Sequence, residues 1–82
     1  MNCFQRLERA LVDAGFVEDA RWIREPLSLP WTTSGEMLGE FGLAIKRIYK
    51  AIPIDARTAL RDLFGECEQA VQRAWPEFTL DS

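Results

Sequence analysis

The chain lacks histidine altogether and has only two cysteines among its 82 residues. Without histidine, Ser-His-Asp and Cys-His catalysis, zinc sites with imidazole ligands and the ordinary pH switch near neutrality are excluded. Cys3 and Cys67 are too few for a structural zinc site, and no glycine-rich loop follows a strand. We therefore expect no metal and no cofactor. Because a reducing compartment disfavours a disulfide, Cys67 is interpreted as a small buried hydrophobic residue.

Long hydrophobic runs are also missing. None approaches the roughly 20 residues that a membrane helix needs, and Arg6, Glu8 and Arg9 add charge where a signal peptide would be apolar. These absences predict a cytoplasmic protein without a membrane partner. The residues that are present have a globular composition, with 48% hydrophobic, 28% charged and a formal net charge of −3. One small domain with one core is expected.

Apolar residues recur at helical spacing and predict four helices, at about residues 3–14, 17–25, 34–52 and 56–75, with a tail at 76–82. The residues expected to begin or end these helices are Asn2 with Gln5, Gly15, Pro26, Thr33 with Glu36, Pro53 and Asp55. Short connections favour antiparallel neighbours. The prediction is an all-α protein, a compact four-helix bundle-like single domain over residues 1–82.

Three glycines, Gly35, Gly39 and Gly42, lie on the flank of the apolar stripe of the third helix. Each glycine costs roughly 1 kcal/mol of helix stability relative to alanine, so a compensating contact is expected. Two interpretations remain open. Another helix of the same chain packs closely here, or a smooth groove receives a partner.

Charge is unevenly distributed along the chain. Five bases and one acid give +4 over residues 46–61, whereas the remainder sums to −7. The bases of this patch are Lys46, Arg47, Lys50, Arg57 and Arg61. They favour either stabilisation of a helix C-terminus or a binding site for an acidic protein surface or a phosphate. Nucleic acid is disfavoured as a partner, because the domain is acidic overall and lacks a known binding signature.

The chain is rich in aromatic residues, which in a small domain are expected first of all in the core. Trp22 and Trp75 lie on predicted helices, whereas Trp31 follows Leu27, Leu29 and Pro30 in an apolar connection. That connection either seals the bundle or presents an anchor to a partner.

Paired carboxylates are the only pattern that suggests catalysis. Glu36 with Glu40 and Asp62 with Glu66 each share a helical face, but the Glu-x-x-His pattern of helical di-metal sites cannot occur without histidine. Such like-charged pairs are common on solvated helices, so the chain is predicted not to be an enzyme.

Residues 7–23 carry a family resemblance. Leu7, Leu11, Ala14-Gly15 and then Ala20-Arg21-Trp22-Ile23 resemble the opening of certain small bacterial helical proteins, uncharacterised or immunity-like. These begin with a leucine-rich helix, an Ala-Gly corner and an Ala-x-Trp-[Ile/Leu] helix. The resemblance implies a small immunity-type binder and identifies no binding residue.

The function expected from the sequence is therefore that of a small acidic protein-binding module, an inhibitor or immunity-type protein that blocks a partner protein. Asp62, Glu66 and Glu68 would present an acidic face, and Trp31 or Tyr49 an anchor. Two alternatives remain: a self-associating helical protein that forms a homodimer, and a nucleic-acid-associated regulator that uses the basic patch.

Overall fold

The computed structural model describes residues 2–31 and 33–81, which form helices and connections without a strand. The helices are α1 (Cys3–Asp13), α2 (Val17–Leu27), α3 (Ser34–Ala51), α4 (Ile54–Ala59) and α5 (Arg61–Gln72). α1 packs on α2, α2 on α3, α3 on α5 and α5 on α1, so that four helices close a ring around one core. Short α4 packs on α5. The predicted all-α bundle is confirmed.

The core is built around the apolar stripe of α3. Phe41, Ile45 and Ile48 are fully buried, because a helix with apolar residues every three or four positions buries one face. Phe4 of α1 stacks on Phe41, with ring centroids 4.2 Å apart and planes 9° apart. Cys67 of α5 is buried in the same core, as its interpretation as a small hydrophobic residue requires.

Two helix N-termini are capped as predicted. The Asn2 side chain accepts the Gln5 amide at 2.9 Å, and the Gln5 side chain accepts the Asn2 amide at 2.9 Å, which completes a capping box. The Thr33 hydroxyl accepts the amide of Glu36 at 3.2 Å. Gly15 follows α1 with φ +93°, a conformation that favours glycine because it has no Cβ.

The second helix passes through the proline that was expected to stop it. Pro26 is buried in the last turn of α2, which ends at Leu27 rather than at residue 25. Proline has no backbone N–H to donate. Since Pro26 lies in the last turn of α2, this costs the helix only one hydrogen bond. The Ser28 amide closes that turn on the carbonyls of Arg24 and Glu25, at 3.2 Å each.

The single helix predicted at 56–75 is wrong, because the structure divides this segment at Leu60. This residue has φ −103° and ψ 13° and separates α4 from α5. α4 begins at Ile54, directly after Pro53, so that Asp55 lies in the first turn and is not the cap. α5 ends at Gln72, three residues before the predicted end.

The break escapes the sequence pattern because the apolar period continues across it. Ala56, Leu60 and Leu63 are half-buried against the core, and Phe64 is fully buried. On the α4 side, the Thr58 hydroxyl donates to the carbonyl of Ile54 at 3.0 Å, a side-chain bond that often accompanies a bend. Periodicity therefore identifies the buried face of this segment but not its change of direction.

The C-terminal tail returns to the bundle. Phe78 packs against the core, and Leu80 is buried. The Leu80 amide donates to the Glu68 carboxylate at 2.9 Å, and the Gln72 side-chain amide donates to the Phe78 carbonyl at 2.9 Å. Ser82, the last residue of the predicted tail, lies outside the described residues.

Candidate protein-binding site

An open cavity of about 840 Å³ lies between α3 and the C-terminal end of the chain. We call it the apolar groove, because most of its lining residues are apolar: Trp31, Gly39, Leu43, Val71, Trp75, Pro76 and Phe78, together with Glu36, Glu40 and Glu77. Leu43 is 66% exposed and Trp75 is 52% exposed. Large apolar side chains with this exposure in one concave patch are typical of interaction sites.

Of the three predicted glycine positions, Gly39 lines this groove, and Gly42 packs against two of its lining residues, Val71 and Phe78. A Cβ at Gly39 would lie 3.2 Å from the indole nitrogen of Trp75, and a Cβ at Gly42 would lie 3.0 Å from a Val71 methyl and 3.1 Å from the Phe78 ring. Close packing within the chain is therefore the reason for these two glycines. A Cβ at Gly35 would meet nothing within 4 Å, so this glycine has no such reason.

Trp75 is placed by a hydrogen bond rather than by burial. Its indole N–H donates to the Gly35 carbonyl at 3.0 Å, which holds the ring along the start of α3. The expectation that the tryptophans belong first of all to the core is wrong for Trp75 and Trp22, because both are exposed. Trp75 follows the end of α5, where the helical period no longer decides which way a side chain faces.

Trp31 lines the groove. It is half-buried, and its indole N–H donates to the Pro26 carbonyl at 2.7 Å. The connection around it is divided, since Leu27 packs against the core whereas Leu29 and Pro30 are exposed. Of the five residues predicted to bind a partner, Trp31 is the one that lies in the groove.

The three predicted acidic residues lie elsewhere, on α5. Glu66 forms an ion pair with Arg6 of α1, and Glu68 accepts the Leu80 amide. Asp62 is exposed in the first turn of α5. Glu66 thus joins α5 to α1, and Glu68 joins α5 to the C-terminal tail. The acidic residues of the groove are instead Glu36, Glu40 and Glu77, which sequence reasoning did not assign to a binding site.

Tyr49 and Arg57 form a contact of their own near the junction of α3 and α4. The Tyr49 ring meets Phe64 edge-on, with centroids 5.1 Å apart, and the Arg57 guanidinium lies 5.2 Å from the Tyr49 ring centroid. One Arg57 N–H points to the Lys50 carbonyl at 3.4 Å, while its buried Nε has no hydrogen-bond partner. Tyr49 is not among the residues that line the groove.

The other members of the predicted basic patch belong to different surroundings. Arg47 stacks on Trp22 of α2, with its guanidinium carbon 3.8 Å from the ring centroid. Lys46 is half-buried on α3, and Arg61 is exposed at the start of α5. The five bases therefore come from three helices, and two of them, Arg47 and Arg57, lie over aromatic rings.

Cys67 is buried in the core and has Cys3 as a neighbour. Burial raises the pKa of the Cys67 thiol far above its usual range, and neighbouring Cys3 raises it further. A thiol held in its neutral form is a poor nucleophile. No three cysteine, aspartate or glutamate residues among those described lie together as a metal site would require.

Across residues 2–31 and 33–81, no helix combines the length and the apolarity needed to cross a membrane. No protein-family model matches the chain, and searches of curated proteins and of solved structures give no significant match. The resemblance of residues 7–23 to immunity-like proteins therefore stays a prediction.

Proposed function

We propose that the chain is a protein-binding module that docks its partner in the apolar groove. One observation carries this proposal: Leu43 and Trp75, both more than half exposed, line a single cavity of about 840 Å³. Tryptophan is among the residues that most often supply binding energy in protein interfaces. An apolar side chain of the partner would displace water from this groove, which is the main favourable term of association.

The charge of the groove supports the more specific proposal of an inhibitor or immunity-type protein. Glu40 and Glu77 line the groove, and neither takes part in an ion pair with a described residue. A partner with basic residues beside its apolar anchor would be steered toward this end of α3. In this proposal the chain blocks a functional surface of its partner, acts in the cytoplasm and catalyses no reaction.

The test is cross-linking from a defined position. A photoreactive amino acid at position 43 is compared with the same amino acid at position 54, because Ile54 is 71% exposed on α4 and does not line the groove. In cells that express the chain, we expect position 43 to capture a specific protein that position 54 does not. Equal capture from both positions, or none from position 43, would contradict the proposal.

The identified partner then allows a quantitative measurement with purified proteins. Leu43→Glu should weaken the complex at least tenfold, since it places a charge in the apolar groove, whereas Ile54→Glu should leave the affinity unchanged. An inhibitor would also lower the activity of the partner in a one-to-one titration. A complex that tolerates Leu43→Glu would show that the groove is not the docking site.

A further inference from the structure

The outward face of α3 is a row of five exposed residues opposite the core stripe. They are Glu36, Glu40, Leu43, Arg47 and Lys50, spaced alternately by four and three positions. This is the spacing of the residues at which two helices meet in side-by-side packing with a crossing angle near +20°. Leu43, at the centre, is the only apolar member of the row.

The charges on this outward face are opposite on the two sides of Leu43. Glu40 and Glu36 lie three and seven residues before it, and Arg47 and Lys50 lie four and seven residues after it. With a rise of about 1.5 Å per residue, these pairs lie about 5 Å and about 10 Å on either side of Leu43. A second α3 laid antiparallel across the first would therefore bring acid to base at both distances.

We propose that the partner docked on this face is a second copy of the chain, in a two-fold symmetric dimer with the two Leu43 side chains at its axis. Glu40 of each copy then faces Arg47 of the other, and Glu36 faces Lys50. The same patch serves both copies, as a closed two-fold interface requires. The inference rests on the proposed binding role of the groove, which Leu43 lines, and names a second copy, in place of an unrelated basic protein, as the partner.

Two observations favour a second copy over an unrelated basic helix. A uniformly basic partner along this face would attract Glu36 and Glu40 but be repelled by Arg47 and Lys50, whereas a second copy places an opposite charge against each of the four. In addition, the Arg47 guanidinium lies over the Trp22 ring, with its central carbon 3.8 Å from the ring centroid. A contact with the π face of a ring uses none of the guanidinium N–H donors as hydrogen bonds, so they remain available to a carboxylate of the second copy.

The experiment measures the dimer by sedimentation equilibrium from about 1 µM to about 1 mM, the range expected for a small exposed interface. Wild-type protein should dimerise. Glu40→Lys and Arg47→Glu should each weaken the dimer about tenfold, because each places like charges opposite one another in two symmetric positions. The double variant E40K/R47E restores opposite charges across the interface and should return to within about threefold of wild type.

Rescue in the double variant would have to come from between chains. Positions 40 and 47 are seven residues apart on one helix, about 10 Å, so they do not form a pair within the chain. Ile54→Glu, outside the face, is the matched control and should not change the dimer. Circular dichroism of each variant verifies that a lost dimer is not a lost fold.

Two outcomes would overturn the inference: a monomer at every concentration, or single variants whose loss the double variant does not restore. Either leaves the proposed binding function separately testable, because position 43 can still cross-link a different protein. In the converse outcome, the dimer responds to the charge variants as expected while position 43 captures no other protein. This result would identify self-association as the function of the outward face.

Discussion

The two faces of α3 follow the same helical period but are used differently. The inward face, with Phe41, Ile45 and Ile48, is fully buried and belongs to the core of the ring. The outward face has one apolar residue, Leu43, between two acids and two bases. Burial on the first face stabilises the fold, whereas exposure on the second leaves charged side chains accessible to a partner. The contrast separates residues that hold the fold from residues that can recognise a partner.

The largest effect on the free energy of unfolding is expected from a substitution on the inward face of α3. Phe41→Ala removes a buried ring that stacks on Phe4, so the free energy of unfolding should fall by about 3–5 kcal/mol. Leu43→Ala, two residues away, should change it by no more than about 0.5 kcal/mol. Denaturant titration of dilute, monomeric protein measures both. If the two losses were similar, the outward face would be contributing to the fold.

A variant that keeps the fold is needed for the buried position, because a small domain has little stability to lose. Phe41→Leu should retain the bundle at a cost of about 1–2 kcal/mol. The free energy of unfolding of Phe41→Leu can then be measured even if Phe41→Ala is unfolded at 25 °C.

Gly39 and Gly42 lie between the two faces of α3, and their substitution is expected to have an intermediate effect on the free energy of unfolding. At Gly42, an added Cβ meets a methyl of buried Val71 and the Phe78 ring, so Gly42→Ala should lower the free energy of unfolding by about 1 kcal/mol despite its better helix propensity. At Gly39 the neighbour is the exposed Trp75 ring, which can move. Gly39→Ala should therefore be neutral or stabilising by up to about 1 kcal/mol.

The glycine pair is informative because the two substitutions are chemically identical and lie one turn apart. Thermal unfolding of both variants measures the difference directly. A Gly39→Ala loss as large as that of Gly42→Ala would mean that Trp75 is held as firmly as the core, and its exposure would then be a poor guide to its freedom to bind.

The sequence predicts the buried face of α3, because burial leaves a period in the apolar residues. It predicts neither the break at Leu60 nor the passage of α2 through Pro26, since both preserve that period. The close approach at Gly39 and Gly42 was one of two interpretations, because helix propensity requires a compensating contact without naming it. Only the positions of Trp75 and Phe78 decide between them.

The candidate site was harder to predict, because it depends on which helix face a residue lies on and on how the helices pack. The net charge of residues 46–61 indicates a basic patch, but it does not distinguish one face of a helix from another. Sorting by face groups Arg47 and Lys50 with Glu36 and Glu40, and the sequence contains that signal. The exposure of Leu43 and Trp75 depends on how α5 and the tail pack beside α3, and no local pattern reports this.

The smallest expected effect tests whether the outward face is organised before a partner arrives. Arg47 stacks on Trp22, a contact expected to contribute about 0.5–1 kcal/mol to the free energy of unfolding. A double-mutant cycle of Arg47→Gln and Trp22→Leu, read by denaturant titration, isolates that contribution from the changes in helix propensity and burial that each substitution brings. A coupling free energy of this size would mean that the guanidinium is positioned within the monomer, so that binding need not spend free energy on ordering it. Additive losses would instead place Arg47 among freely moving surface charges, and the alignment of its charge with Glu40 of a second copy would then have to form during association.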